Sequence, residues 1–140
     1  MIVLDTNVIT AIMHLEREPG VLAWLDTQQA GQLYLPTPVM FETCYGIAKT
    51  DAGRKCRDLE RRNSDMMADF FVNRVLPFDS VAAEAVGAIY AMKAFRGRKE
   101  RLVDIQIAGI AKALNATVAT RNVKDFSGMG LNIINPWDTP

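Results

Sequence analysis

The sequence predicts an α/β protein, a three-layer α/β/α sandwich around a parallel sheet of about five strands. Three observations predict it. Short apolar runs alternate along the chain with longer stretches of helical period. The first run, Ile2-Val3-Leu4, has no polar interruption, which suits a strand buried on both faces. Polar residues gather where apolar runs stop, at Asp5-Thr6-Asn7 and Thr120-Arg121-Asn122, and open parallel sheets bind ligands beyond such strand ends. With 140 residues, 49% hydrophobic and 23% charged, the chain is expected to form a single domain over residues 1–140. No internal repeat, low-complexity segment or linker divides it.

Ile2 to Leu4 is the first strand. Asp5, Thr6 and Asn7 favour helix caps, and Val8, Ile9, Ile12 and Met13 give helical spacing after them. A second helix starts at Glu18-Pro19-Gly20, carries Val21, Leu22, Trp24 and Leu25, and is expected to stop at Gly31. Leu33-Tyr34-Leu35 is the second strand. Thr37 is expected to cap the next helix and Pro38 to begin it. Met40, Phe41, Cys44, Tyr45, Ile47 and Ala48 form its expected buried stripe, with Glu42 projecting from its first turns. Asp51 to about Asn73 reads as one long, partly exposed helix. Val75 to Phe78 is a third strand, which Pro77 demotes to an edge or a strand end. Asp79-Ser80 caps a helix carrying Val81, Ala85, Val86, Ile89 and Met92. A basic loop, Phe95 to Lys99, precedes a helix over Leu102 to Leu114, with Ile105, Ala108, Ala111 and Leu114 on one stripe and Asn115 as its C-terminal cap. Thr117 to Thr120 and Leu131 to Ile134 complete the sheet.

Sixteen basic residues balance sixteen acidic ones, so net charge names no polyanionic partner. Cys44 and Cys56 are the only cysteines, lack paired metal-ligand spacing, and read as reduced thiols. The lone His14 removes Ser-His-Asp and Cys-His chemistry unless it serves itself. No signal peptide is visible, and no run approaches the roughly 20 apolar residues of a membrane helix. A cytoplasmic protein without a membrane partner is expected.

Asp5 follows the first strand, Glu42 lies early in the helix after the second, and Asp104 opens a helix. Asn122 and Asp125 follow the fourth strand. Singly, each has a plainer reading: Asp5 and Asp104 as caps or dipole partners, Glu42 as a solvated charge, Asn122 and Asp125 as turn residues. Jointly they suggest more. Carboxyl groups gathered at one edge repel each other and stay ionised only around a cation. Oxygen donors select a hard ion such as Mg²⁺ or Mn²⁺, and such clusters commonly hold metal for work on phosphate esters.

Four blocks carry a family resemblance: Ile2-Val3-Leu4-Asp5-Thr6-Asn7-Val8-Ile9, Glu42-Thr43-Cys44-Tyr45-Gly46-Ile47, Asp104-Ile105-Gln106-Ile107-Ala108 and Thr120-Arg121-Asn122-Val123-Lys124-Asp125-Phe126. In this order, and over nearly the whole chain, they resemble the PIN domain, in the VapC/FitB type of bacterial toxin. The resemblance implies an Mg²⁺-dependent endoribonuclease acting as the toxin of a type II toxin–antitoxin module, with Mn²⁺ as a second candidate ion. It implies Asp5, Glu42 and Asp104 as the catalytic acids and metal ligands. Asn122 or Asp125 takes a variable fourth position. Thr6 and Thr120 match positions that hydrogen-bond the acids or the metal water. Asp5 and Asp104 would then bind one ion with water in the remaining positions, while Glu42 would hold a second ion or orient the attacking water.

Between Lys93 and Arg101 there are five basic residues and one acid, so Arg98 and Lys99 are expected to guide an RNA backbone toward Asp104. Arg121, with its forked donors, is the better phosphate ligand. Arg54 to Arg62 reads as ordinary surface. Met66-Met67, Phe70-Phe71, Trp24 and Trp137 read as core stripe or interface anchors. The resemblance implies a homodimer, a cognate antitoxin that blocks the acidic groove with an arginine, and operator DNA bound only through that antitoxin. Two readings compete. A receiver-type signalling domain would use Asp79 as phosphoacceptor, although no Lys follows the fifth strand. A catalytically silent PIN-like module would bind RNA or protein, and Asn122 in place of an acid gives it some support.

Overall fold

The apolar runs form the sheet. In the computed structural model, which describes residues 1–138, the strands are β1 (Ile2–Leu4), β2 (Leu33–Pro36), β3 (Val75–Leu76), β4 (Thr117–Ala119) and β5 (Ile133–Ile134). They lie in the order β3-β2-β1-β4-β5, and every neighbouring pair is parallel. Consecutive residues Val3 and Leu4 are both fully buried. Neighbours along a strand face opposite sides of a sheet, so β1 is covered on both faces. Val118 and Ala119 repeat the pattern on β4. The covering helices are α1 (Thr6–Ile12), α2 (Pro19–Asp26), α3 (Thr37–Ala48), α4 (Arg54–Phe70), α5 (Ser80–Ala91), α6 (Leu102–Ala113) and α7 (Val123–Phe126). This is the expected three-layer α/β/α arrangement. Pro77 follows β3 at the sheet edge, where a missing N–H costs no ladder bond.

Register positions the site. Leu4 pairs with Ala119, so the next residues, Asp5 and Thr120, emerge side by side from the two central strands. The Asp5 N–H donates to the Ala119 carbonyl at 3.0 Å, which holds that alignment one residue past β1. Among the covering helices, α5 packs closely on α6. A Cβ on Gly109 would stand 2.4 Å from Val86 Cγ2 and 2.9 Å from the Ala82 carbonyl, so only glycine permits this approach. Asn115 ends α6 at φ 50°, the left-handed cap its sequence position predicts. Among the described residues no helix is long and apolar enough to cross a membrane.

Several local expectations are corrected. The second helix ends at Asp26 rather than at Gly31; the Thr27 hydroxyl donates to the Trp24 carbonyl at 2.6 Å, and a separate 3-10 turn spans Ala30–Gln32. Its apolar stripe stops at Leu25, which leaves nothing to bury in a further turn. Thr37 does not cap α3: it lies within the helix after Pro36, and its hydroxyl accepts from the Phe78 N–H at 3.0 Å. The expected buried stripe of α3 is mostly solvent-facing. The helix buries Pro38 and Val39, while Met40, Phe41, Cys44 and Tyr45 are exposed, Phe41 by 64%. Periodicity identifies an apolar face without saying what covers it. Val81, Met92 and Leu114 are likewise exposed. Trp24 is a core residue, only 2% exposed, and so no interface anchor. Met66 and Phe71 are also core, with Met67 and Phe70 packed against it.

Candidate active site

Asp5 ends β1 and caps α1. Its Oδ1 accepts from the Thr6 N–H at 2.7 Å. Its Oδ2 accepts from the Thr120 hydroxyl at 2.7 Å and from Asn7 Nδ2 at 2.9 Å. At 4% exposure it is a deeply placed carboxylate with both oxygens held. Burial pushes its pKa above the usual range; the bonds from Thr120 and Thr6 oppose that push, and the charge of Glu42 adds to it. Packing of α1 on α3 brings in Glu42, whose Oε1 accepts from the Thr6 hydroxyl at 2.5 Å. Thr6 thus donates its backbone N–H to one acid and its side chain to the other.

Asp104 sits in the first turn of α6. Its pKa is pushed up to about 6, chiefly by burial and then by the charges of Asp5 and Asp125. Asp104 thus feels the charges of Asp5 and Asp125, as Asp5 feels that of Glu42. A cation of this chain stands among them. Arg101 Nε donates to Asp104 Oδ2 at 3.2 Å; its Nη2 donates to the Asp125 carbonyl and lies 3.7 Å from Asp125 Oδ1. The guanidinium rests over the Phe95 ring at 6.0 Å from its centroid.

The remaining site candidates separate. Asn122 caps α7 and is exposed, and its backbone N–H donates to Thr120 Oγ1 at 3.0 Å. Of the two candidates for the fourth position, Asp125 is the one whose charge Asp104 feels. Thr120 is fully buried between Asp5, Asn122 and Asn7. Arg121 lies at the rim: its N–H donates to Asn7 Oδ1 at 3.1 Å, and its guanidinium lies over Trp137, 5.1 Å from the ring centroid. Arg98 is paired with Glu100, and Lys99 is exposed on the short 3-10 turn Lys99–Arg101. Asp79 caps α5 by accepting from the Ala82 N–H at 2.9 Å and follows the edge strand, so it serves as a helix cap.

Two contributors escape the sequence reading. Asn7 links Asp5 to Arg121, and its signal is its place two residues after a strand-end acid. Arg101 precedes Asp104 by three residues, a spacing that brings side chains together on a helix face. Among the described residues, no group of three or more His, Cys, Asp or Glu stands ready to hold a metal ion by itself. The donors present are all oxygens, with one arginine between two of the acids.

The PIN domain family model matches residues 2–130. A plasmid stability protein StbB from Pseudomonas syringae pv. tomato is 38% identical over 99% of this chain and 99% of its own length. A VapC ribonuclease, Y4jK, from Sinorhizobium fredii is 37% identical over the same shares of each chain. Among solved structures, one of FitAB bound to an IR36 DNA fragment matches with a TM-score of 0.87 and 32% identity, covering 100% of this chain and 98% of that one. On the family match and on these identities over nearly the whole chain, the protein belongs to the PIN-domain family, in the VapC/FitB group.

Proposed function

We propose that this chain is a divalent-metal-dependent endoribonuclease, the toxin of a type II toxin–antitoxin pair, which hydrolyses RNA phosphodiesters with water. The observation that carries the reading is Asp5: a buried carboxylate held at both oxygens, in the field of Glu42 and Asp104. The donor set fits a hard cation, because every candidate ligand is an oxygen and the carboxyl charges lack enough partners. Mg²⁺ commonly binds through one or two carboxylates and keeps several waters, so a ready three-acid cage is not required. Asp5 and Asp104 would hold the ion. Such an ion lowers the pKa of a bound water and neutralises charge growing on the phosphoryl oxygens. Thr120, Asn7 and the Thr6 N–H fix the Asp5 oxygens. Glu42, steadied by the Thr6 hydroxyl, orients the attacking water or receives its proton. Asp125 or Asn122 completes the fourth position, and Arg121 receives a substrate phosphate. Arg98 and Lys99 attract the strand from farther out.

The partners follow the relatives. A cognate antitoxin would cover the acidic rim, and operator DNA would be bound through it, a reading supported by the structure of FitAB bound to an IR36 DNA fragment. A homodimer would cover the apolar face of α3, where Met40, Phe41 and Tyr45 are exposed. Substitution Asp5→Asn tests the chemistry. Outer partners of metal ligands are worth about 10–100-fold, so loss of a ligand should cost about 10²-fold or more in RNA cleavage, with thermal unfolding still cooperative. Full activity of that variant with Mg²⁺ restored would remove Asp5 from the mechanism. A silent RNA- or protein-binding module is the second reading, favoured by Asn122 and by Arg101 sitting on two of the acids. Cleavage of a generic RNA with and without Mg²⁺ separates the two.

A further inference from the structure

Beside the acids, but outside them, a cleft of about 380 Å³ opens between α1 and the turn after β5. Small-molecule sites occupy roughly 300–1,000 Å³. Asn7 joins this cleft to the acidic rim, since its amide donates to Asp5 and its carbonyl oxygen accepts from Arg121 N–H. One wall is a planar pair. Arg121 lies over the Trp137 ring, and the indole N–H donates to Glu18 Oε2 at 2.9 Å, which fixes the ring plane. Arg17 borders the cleft with a side chain 75% exposed, and its ion-pair neighbour is Glu16 at 3.8 Å. His14 lines the same space, and its buried Nδ1 makes no hydrogen bond. Guanidinium and indole planes stack unpaired bases, and exposed arginines hold phosphates.

We infer that this cleft binds one nucleotide of single-stranded RNA next to the scissile phosphate, with its base stacked on the Arg121–Trp137 pair and a phosphate on Arg17. This rests on the nuclease reading above and adds to it a place for the flanking nucleotide. Stacking is tolerant of base identity, so the cleft would grip the strand rather than read its sequence. Arg121 is then a substrate-positioning residue as well as a phosphate ligand. Glu18 acts only through Trp137.

The chain has two tryptophans, and Trp24 is buried in the core, so Trp137 is the one a ligand can quench. The probe is a short single-stranded oligoribonucleotide added to the full protein in EDTA, which holds cleavage off. Saturable quenching of tryptophan fluorescence is expected, and it should vanish in Trp137→Phe, which keeps an aromatic ring for packing. Arg17→Ala, at an exposed position, should weaken binding of a labelled oligonucleotide roughly threefold while leaving unfolding unchanged. Absent quenching, or quenching that persists in Trp137→Phe, overturns the inference. Fluorescence that RNA leaves unchanged but a co-expressed antitoxin quenches would make the cleft a protein groove and also overturn it. Cleavage without quenching sinks only the cleft; quenching without any metal-dependent cleavage sinks only the nuclease reading.

Discussion

On α4, Arg61 reaches Asp58 at 2.7 Å and Asp65 at 3.3 Å, while Arg62 reaches Asp58 at 2.8 Å, Glu16 at 3.1 Å and the Met13 carbonyl at 2.8 Å. There the pKa of Asp58 is lowered and that of Arg62 is raised, mainly by these hydrogen bonds and against burial, while that of Glu16 is lowered first by a backbone hydrogen bond and then by Arg62. At the strand ends the shifts run the other way. Asp5 and Asp104 are raised, burial leads in both, and neighbouring carboxylates add to it. Arg101 is the cation that offsets part of this. The same residue types thus make a satisfied surface in one region and an under-compensated cluster in the other. A solvated face gains by pairing its charges, whereas a metal site must leave its ligands short of cations until the ion arrives.

The contrast is broken most severely at Asp104. Asp104→Asn should cost about 10²-fold or more in cleavage, yet it should raise the melting temperature of the metal-free protein at neutral pH. The sign follows from linkage. A folded pKa near 6 lies above that of an unfolded aspartate, so the folded state binds more protons between these values. Stability from this group is present in mild acid and is lost as pH rises through about 6. Melting in EDTA across that window should show the slope in the parent chain and a flatter one in Asp104→Asn. An equal slope in both would clear Asp104 as its source. Arg101→Met sharpens the comparison from the other side. It removes the cation paired with Asp104, so Mn²⁺ affinity, measured calorimetrically, should increase on the order of fivefold. Weaker Mn²⁺ binding would make Arg101 a scaffold for the ligands rather than a competitor. The smallest effect belongs to the satisfied cluster. Arg61→Ala should leave cleavage unchanged and shift the melting temperature by no more than about 2 °C, because its pairs are exposed.

Much of this was legible because the informative residues sit at punctuation points of the chain. Asp5 ends an apolar run, Glu42 follows a helix start, and Asp104 opens a helix, so topology alone carries them toward one rim. Arg101 was not legible. It reads as one of several arginines in a basic stretch, and only the fold turns it toward Asp104 and Asp125 while Arg98 pairs with Glu100. Spacing alone does not separate Asn122 from Asp125, since the two are three residues apart at a short helix; the fold exposes Asn122 and sets Asp125 beside Arg101. The α3 face misled for a different reason. Phe41 and Tyr45 recur at helical spacing and stack on each other at 6.3 Å, yet they do so outside the core. A face that a partner covers carries the same pattern as one the core covers.

These acids are proposed to gather around a divalent ion for phosphodiester hydrolysis by water. End-mapping of RNA treated with EDTA-stripped protein, before and after Mg²⁺ is restored, tests it most directly. Intact RNA is expected in EDTA and, with Mg²⁺, products bearing a 5′-phosphate and a 3′-hydroxyl. Cleavage in EDTA that leaves 2′,3′-cyclic phosphates would contradict it.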